Sequence, residues 1–217
     1  MDSNPKSFKS DFKSRQNPSF EESYDALSIP RENLNIIFSL KPNDEGFLTL
    51  KKQADNGSAD AQFEIGSCYK EGEHIQKSYK SAFNYYKLAA DQGHRGAQVC
   101  LAILYDEGLG VKQDSEQAFY YYKLAAEQES SGALAELGKF YREGRGGVER
   151  SPKEAIRYYE MAGDLGNSNA WNYLAEAYER GVGVEKSEEK ARYYQQKRFN
   201  YTKEEADAGD SCSQSNV

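Results

Sequence analysis

Apolar and tyrosine residues recur with helical spacing along the middle of the chain. In the segment 82–90 they stand at i, i+3, i+4 and i+7, which is the spacing of one buried helix face; these positions are Ala82, Tyr85, Tyr86 and Ala89. The same residue types recur 36 residues later, at Ala118, Tyr121, Tyr122 and Ala125. Related segments follow at 155–163 and 191–194, so the unit occurs four times. The pattern predicts a repeat protein in which each unit buries its apolar face on its neighbours.

A second helix is predicted in front of each of these segments. It carries alanine, a bulky aliphatic residue, a small residue and tyrosine at fixed offsets, and a glycine follows the tyrosine by three residues, at Gly72, Gly108, Gly144 and Gly181. Glycine ends a helix by turning left-handed at low steric cost. N-cap residues then begin the next helix at Ser78, Asp114, Ser151 and Ser187. Each repeat is therefore predicted to be a helix-turn-helix unit.

The repeats divide the chain into four parts. We predict a disordered arm over residues 1–28, capping helices with a half repeat over 29–56, repeats over 57–93, 94–129, 130–166 and 167–200, and a disordered acidic tail over 201–217. The arm lacks helical and strand periodicity. In the last repeat Gln196, Lys197 and Arg198 stand where the first two copies have Lys-Leu-Ala, so the face that would receive a further repeat is charged. The array is predicted to end there, because solenoids require a polar terminal face.

The repeated unit, with its glycine-bearing loop and its Ala-x-x-Tyr-Tyr-x-x-Ala-Ala segment, resembles the Sel1-like repeat, a relative of the tetratricopeptide repeat, over about residues 44–200. The resemblance implies an all-α, right-handed α-solenoid of antiparallel helix pairs, with the first helices lining a concave face. It also implies a scaffold or adaptor that binds other proteins. Glu129 replaces the turn glycine found at Gly93 and Gly166, and His74 replaces a loop glycine, so the local loop geometry is open at these two positions.

Composition and net charge limit the classes of partner that the sequence predicts. The net charge of −7 argues against nucleic acid, because binding to nucleic acid begins with neutralising phosphates. No apolar run approaches the roughly 20 residues of a membrane span, and the first residues lack the apolar core of a signal peptide. We expect no membrane insertion, a cytoplasmic location and a monomer. The three cysteines are odd in number and irregularly spaced, which favours reduced thiols.

The predicted partner site is the concave groove. By resemblance to tetratricopeptide arrays, the positions facing it are Phe63, Ser67, Lys70, Val99, Ile103, Asp106, Ala135, Lys139, Arg142, Asn172, Glu176 and Glu179. Val99 and Ile103 carry the sharpest signal, because they lie opposite the predicted core face of their helix. We expect a peptide with an apolar side chain near Phe63, Val99 and Ile103 and an acidic group near Lys139 and Arg142. Alternatively, superhelical curvature or the N-terminal arm covers Val99 and Ile103.

The sequence gives little support for a catalytic or metal-binding site. No Ser-His-Asp or Cys-His set can be assembled at specific offsets, and the two histidines lie in different loop positions without clustered ligands, so we predict neither an enzyme nor a cofactor. A β-lactam-hydrolysing branch of the family has paired cysteines in every repeat, and Cys68 and Cys100 do not follow that pattern. This hydrolase remains an alternative, as does a bacterial effector that uses the groove on a host protein. Residues Ser215 to Val217 fit a C-terminal PDZ-binding motif.

Overall fold

The structure is a computed structural model that describes residues 45–73 and 75–214, with side chains through residue 203. The arm 1–28, most of the capping segment 29–56, His74 and the predicted PDZ motif Ser215 to Val217 lie outside the described residues. Within them the chain forms α-helices joined by short loops and contains no strand. The helices are α1 Glu45–Asp55, α2 Ala59–Glu71, α3 Tyr79–Asp91, α4 Arg95–Glu107, α5 Ser115–Ala126, α6 Ser131–Glu143, α7 Pro152–Asp164, α8 Ser168–Arg180 and α9 Glu188–Gln214. The predicted all-α repeat fold is confirmed.

Side-chain caps and glycine turns set the helix boundaries where the sequence predicts them. The first helices α2, α4, α6 and α8 each end at a left-handed glycine with φ between 70° and 80°, at Gly72, Gly108, Gly144 and Gly181. The second helices α3, α5 and α7 begin at residues whose side-chain oxygens accept a backbone N–H from the first turn, at Ser78, Asp114 and Ser151. Ser187 Oγ accepts the Lys190 N–H at 3.3 Å in the same way before α9. These caps satisfy donors that a helix leaves unpaired at its start.

Stacked tyrosine rings join the two helices of each repeat. One ring comes from the end of the first helix and one from the middle of the second, with centroids 5.3–5.8 Å apart, in the pairs Tyr69 with Tyr85, Tyr105 with Tyr121, Tyr141 with Tyr158, and Tyr178 with Tyr194. Such pairs contribute about 0.5–1.5 kcal/mol beyond the burial of their area. The tyrosine-rich segment therefore holds each repeat together internally.

Close backbone packing joins one repeat to the next. Gly110, in the loop after α4, lies against the start of α3 in the preceding repeat, where a Cβ atom would come within 2.4 Å of the Tyr79 carbonyl carbon. Gly183 approaches Pro152, at the start of α7, in the same manner. Only glycine leaves room for this approach, so the second loop glycine of the sequence pattern is a stacking position.

Glu129 keeps the geometry of the turn between repeats although it is not glycine. Its φ is 58°, in the same left-handed region as Gly93 at 86° and Gly166 at 82°. The sequence left the turn geometry open at this position. The structure preserves it, although a non-glycine residue in the left-handed region is sterically strained.

The last helix differs from the sequence prediction. α9 runs to Gln214, whereas a disordered tail was predicted from residue 201. Acidic composition suggested disorder, but the segment after residue 200 contains strong helix formers and no glycine or proline before Gly209. Extending an existing helix needs no new nucleation, so these residues continue it. Tyr201 packs edge-on against Trp171 of α8, with ring centroids 5.5 Å apart.

Candidate partner-binding site

Three cavities in the described part of the chain are lined in part by residues of the first helices. Cavity I has a volume of about 340 Å³ and lies between α4 and α6, with Tyr122 of α5 in its wall. Its remaining lining residues are Val99, Ile103, Asp106, Glu107, Gly132, Glu136 and Lys139. The structure thus brings four of the predicted groove residues together: Val99, Ile103, Asp106 and Lys139. Val99 and Ile103 are half-buried and form an apolar wall, whereas Asp106 and Glu107 at the end of α4 and Glu136 and Lys139 of α6 are charged.

Cavity II adjoins cavity I. It has a volume of about 230 Å³ and shares Gly132, Glu136 and Lys139 with cavity I. It adds Ala135 and Asn172, two further predicted groove residues, together with Asn167, Asn169 and Tyr173. The amide oxygen of Asn172 accepts a hydrogen bond from Arg198 of α9 at 3.1 Å. This part of the surface is mainly polar.

Cavity III lies between α6, the start of α7 and α8, and shares Tyr173 with cavity II. Its volume is about 230 Å³, and its polar and aromatic lining residues are Arg142, Arg150, Tyr159, Tyr173, Glu176 and Arg180. The guanidinium carbon of Arg142 lies 4.8 Å from the centroid of the Tyr173 ring. Arg142 and Glu176, both predicted to face the groove, therefore line a cavity separate from Val99 and Ile103.

Asp106 is held by an arginine that sequence reasoning did not single out. Arg145, in the loop after α6, donates hydrogen bonds to both carboxylate oxygens of Asp106, and the Nη2 to Oδ2 distance is 3.2 Å. Arg145 also donates to Glu143 at 2.8 Å and lies 3.8 Å from the centroid of the Phe140 ring. Burial works to raise the pKa of Glu143, but hydrogen bonds from Arg142 and Arg145 outweigh it and lower that pKa. One rim of cavity I is thus a fixed ion-pair network.

The charge of Lys139 is more available to a ligand than the charge of Asp106. Its ammonium nitrogen is 3.5 Å from a carboxylate oxygen of Glu136, one turn earlier on α6. Partly exposed pairs of this kind contribute only about 0–1 kcal/mol. Because Lys139 borders both cavity I and cavity II, its ammonium group can turn to an acidic ligand at small cost.

The remaining predicted groove residues, Phe63, Ser67, Lys70 and Glu179, do not line the three cavities. The Phe63 ring stacks on His94, with centroids 4.6 Å apart, and Ser67 Oγ lies 3.2 Å from the hydroxyl oxygen of Tyr86. Lys70 pairs with Glu71 at 2.9 Å. Ser67 thus contributes to packing within the first repeat, and Phe63 to packing of the first repeat against His94 of the second.

Metal-binding clusters and the thiol of Cys100 can be assessed in the described part of the chain. No group of three or more His, Cys, Asp and Glu residues there is arranged to hold a metal ion. Burial raises the pKa of the Cys100 thiol, despite a hydrogen bond to Tyr86 that works to lower it. A thiol with a raised pKa is a poor nucleophile at neutral pH. Among the described helices, none is long and apolar enough to cross a membrane.

Comparison with known proteins gives a consistent family assignment. The model of the Sel1 repeat family matches residues 59–94, 97–130, 131–167 and 169–197. This match confirms that the predicted Sel1-like repeat occurs at four positions. A Sel1 repeat protein from Oxalobacter formigenes is similar in structure, with 32% sequence identity, a TM-score of 0.69, and coverage of 71% of this chain and 63% of that one.

A protective antigen of uropathogenic Escherichia coli strains, displaying an SLR fold, also matches with 32% identity and a TM-score of 0.68. That match covers 71% of this chain and 33% of the antigen. The chain therefore spans less than two thirds of the length of either structure. No curated protein matches the sequence.

Proposed function

Because this chain belongs to the Sel1 repeat family, whose members generally mediate protein–protein interactions, we propose that it is a non-enzymatic scaffold that binds a peptide or protein partner along its first-helix face. Cavities I and II form the central part of that binding surface. A preformed surface of this kind binds without first paying the entropy of ordering itself.

The observation that carries the proposal is the apolar wall of cavity I. The other repeats place Phe63, Ala135 and Asn172 at the position of Val99, so helix stacking does not demand an aliphatic residue there. Val99 and Ile103 nevertheless leave part of their surface accessible in a cavity of about 340 Å³. This volume falls within the roughly 300–1,000 Å³ of ligand-binding pockets. An apolar side chain of the partner fits this wall.

The lining of cavity I carries the carboxylates of Asp106, Glu107 and Glu136 and the ammonium group of Lys139, so Lys139 is its one residue that can attract an acidic group of the partner. Asp106 is already neutralised by Arg145, whereas Lys139 is held only by a weak pair with Glu136. An acidic group on the partner can therefore pair with Lys139 without breaking the Arg145 network. The ligand is an apolar side chain followed by an acidic one, laid from α4 towards α6.

A double variant tests the wall without disturbing the fold. Val99→Asn and Ile103→Ser introduce residues that other repeats carry at the same positions, Asn172 and Ser67. The matched control is Leu88→Asn with Met161→Ser, on second helices, where the native side chains are 49% and 43% exposed. Random dodecapeptides displayed on phage are selected on the immobilised full chain, and their affinities for each purified variant are measured by fluorescence anisotropy.

We expect the groove variant to lose at least about 10-fold in affinity, equivalent to about 1.4 kcal/mol. The control should bind like the wild type, and the thermal midpoint of both variants should stay close to the wild-type value. The proposal is wrong if no peptide is selected, or if selected peptides bind the groove variant as tightly as the wild type.

A further inference from the structure

Cavity III exists because the fourth repeat lacks a bulky residue that fills the corresponding space in the two repeats before it. Leu104 and Phe140 occupy equivalent positions of α4 and α6 and are 1% and 0% exposed. Ala177 stands at that position of α8 and lines the cavity instead. Val182 likewise replaces Arg145, whose guanidinium covers the Phe140 ring in the third repeat. Both the filling side chain and its cover are thus shorter at this junction.

Tyr159, one of the residues that line cavity III, carries a buried hydroxyl group that lacks a hydrogen-bond partner among the described residues. Tyr159 is 2% exposed, and no side chain or backbone group between residues 45 and 203, as far as the structure describes them, pairs with its hydroxyl oxygen. In the first repeat the equivalent Tyr86 hydroxyl pairs with Ser67, but Lys139 takes the place of that serine here and its ammonium lies against Glu136. Burial raises the pKa of Tyr159, so the hydroxyl stays protonated as a donor. A ligand that supplies an acceptor oxygen recovers the cost of this unpaired group.

The charge around the cavity favours an anionic acceptor. Three arginines and one glutamate line it, and Arg180 pairs with that glutamate, Glu176, at 2.6 Å. Arg150 donates from Nε to the backbone oxygen of Arg142 at 3.1 Å. No carboxylate in the described ranges pairs with Arg150, so its terminal N–H groups are available for a ligand. Apolar atoms of Ile156 and Val182 complete the wall.

We propose that cavity III binds an acidic side chain of the partner together with the apolar residue beside it. The carboxylate pairs with Arg150 and accepts from the Tyr159 hydroxyl, while the apolar side chain takes the space that Leu104 and Phe140 fill in the second and third repeats. The cavity volume of about 230 Å³ lies below the roughly 300–1,000 Å³ of drug-sized ligand sites, so it suits one or two side chains. The inference rests on the proposed function for the peptide nature of the ligand.

The probes are two blocked dipeptides, acetyl-Leu-Glu-amide and acetyl-Leu-Gln-amide, titrated into the ¹⁵N-labelled full chain and followed by amide chemical shifts. We expect the glutamate peptide to bind at least about 10-fold more tightly than the glutamine peptide, with the largest shifts around residues 150, 156 and 182. Its affinity should fall as salt is added, because the charge pair is screened.

Four variants locate the site. Ala177→Leu restores the side chain found at Leu104 and should abolish binding while raising the thermal midpoint. Arg150→Gln and Tyr159→Phe should each weaken the glutamate peptide about 5- to 10-fold, and the second should not lower the thermal midpoint, since it removes an unsatisfied hydroxyl. Arg157→Gln, on α7 but outside the cavity lining, is the matched control and should bind like the wild type.

Equal affinity for the two dipeptides, shifts that map elsewhere, or unchanged binding by Ala177→Leu would overturn the assignment. The Val99→Asn/Ile103→Ser variant should bind the dipeptide normally. If it does, and selected dodecapeptides are also indifferent to that variant, the proposal for cavity I fails while cavity III stands. If the Val99→Asn/Ile103→Ser variant loses dodecapeptide binding and the dipeptide does not bind at cavity III, the proposal for cavity III fails while cavity I stands.

Discussion

At the scale of single residues, Glu129 shows how much strain the array tolerates at a turn. Its φ of 58° places a residue with a Cβ atom in the left-handed region, which costs a non-glycine residue roughly 1–2 kcal/mol. Glycine removes that strain but adds about 0.5–1 kcal/mol of backbone entropy on folding. Glu129→Gly should therefore raise the free energy of unfolding by about 0.5–1 kcal/mol, measured by urea denaturation.

The same substitution two residues earlier provides the control. Glu127 has φ −61° and ψ −20°, which glutamate adopts without strain. Glu127→Gly should lower the free energy of unfolding by about 0.5–1 kcal/mol, because only the entropy cost remains. Equal effects of the two variants would show that the left-handed turn is not strained.

Individual side chains also mark the limit of sequence reasoning. The caps at Ser78 and Asp114 could be predicted, because a cap depends on residues at most three positions away. The pair between Asp106 and Arg145 could not, since it joins residues 39 apart and depends on the direction of a loop side chain. Phe63 was expected in the groove by its position, but the neighbouring His94 ring stacks on it.

At the scale of helices, the end of the array is stabilised by a contact beyond the repeat pattern. Tyr201 of α9 packs against Trp171, the single tryptophan of the chain. Tyr201→Ala should expose that ring, shift its fluorescence to longer wavelength, and destabilise the protein by about 1–2 kcal/mol from the lost ring pair and burial. The thermal midpoint should then fall by roughly 2–8 °C for a chain of this size.

Phe199→Ala serves as the comparison for Tyr201→Ala, because Phe199 is an exposed aromatic side chain on the same helix. It should change stability by less than about 0.5 kcal/mol and leave the tryptophan spectrum unchanged. A spectrum unaffected by Tyr201→Ala would contradict the described end of the array.

The helix pairs could be predicted from the interval of the repeat, but the length of α9 could not. Inside the repeats every helix face has a partner that recurs at a fixed offset, so periodicity and caps agree. After residue 200 the sequence has no such partner, and its acidic composition was interpreted as disorder. Local helix propensity decides the conformation there, and it acts without a periodic signal.

Cavity III could not be predicted for a related reason. Its volume depends on the size of one residue, Ala177, relative to Leu104 and Phe140 at the equivalent positions.

At the scale of the whole molecule, one buried tyrosine recurs at the same position of three successive repeats. Burial is the largest influence on Tyr86, Tyr122 and Tyr159, and it raises the pKa of each hydroxyl above its ordinary value. Burial also raises the pKa of Tyr194, in the fourth repeat, to about 12. In the unfolded chain tyrosine loses its proton near pH 10. The native state therefore binds more protons than the unfolded state above that pH, and stability, complete below about pH 10, must fall as the pH rises through this range.

This linkage predicts cooperative alkaline unfolding. Each of the three tyrosines lowers the free energy of unfolding by up to about 1.4 kcal/mol per pH unit above pH 10, so the three together lower it by up to about 4 kcal/mol per pH unit. Because every solenoid repeat depends on its neighbours, helix loss by circular dichroism should coincide with the appearance of tyrosinate absorbance. Tyr122→Phe should shift this transition to higher pH, whereas Tyr120→Phe, at an exposed ring on the same helix, should leave it unchanged. Gradual tyrosine titration with the helices intact up to pH 12 would show that these hydroxyls reach solvent without unfolding, and that the tyrosine face is not the sealed core from which the array derives its stability.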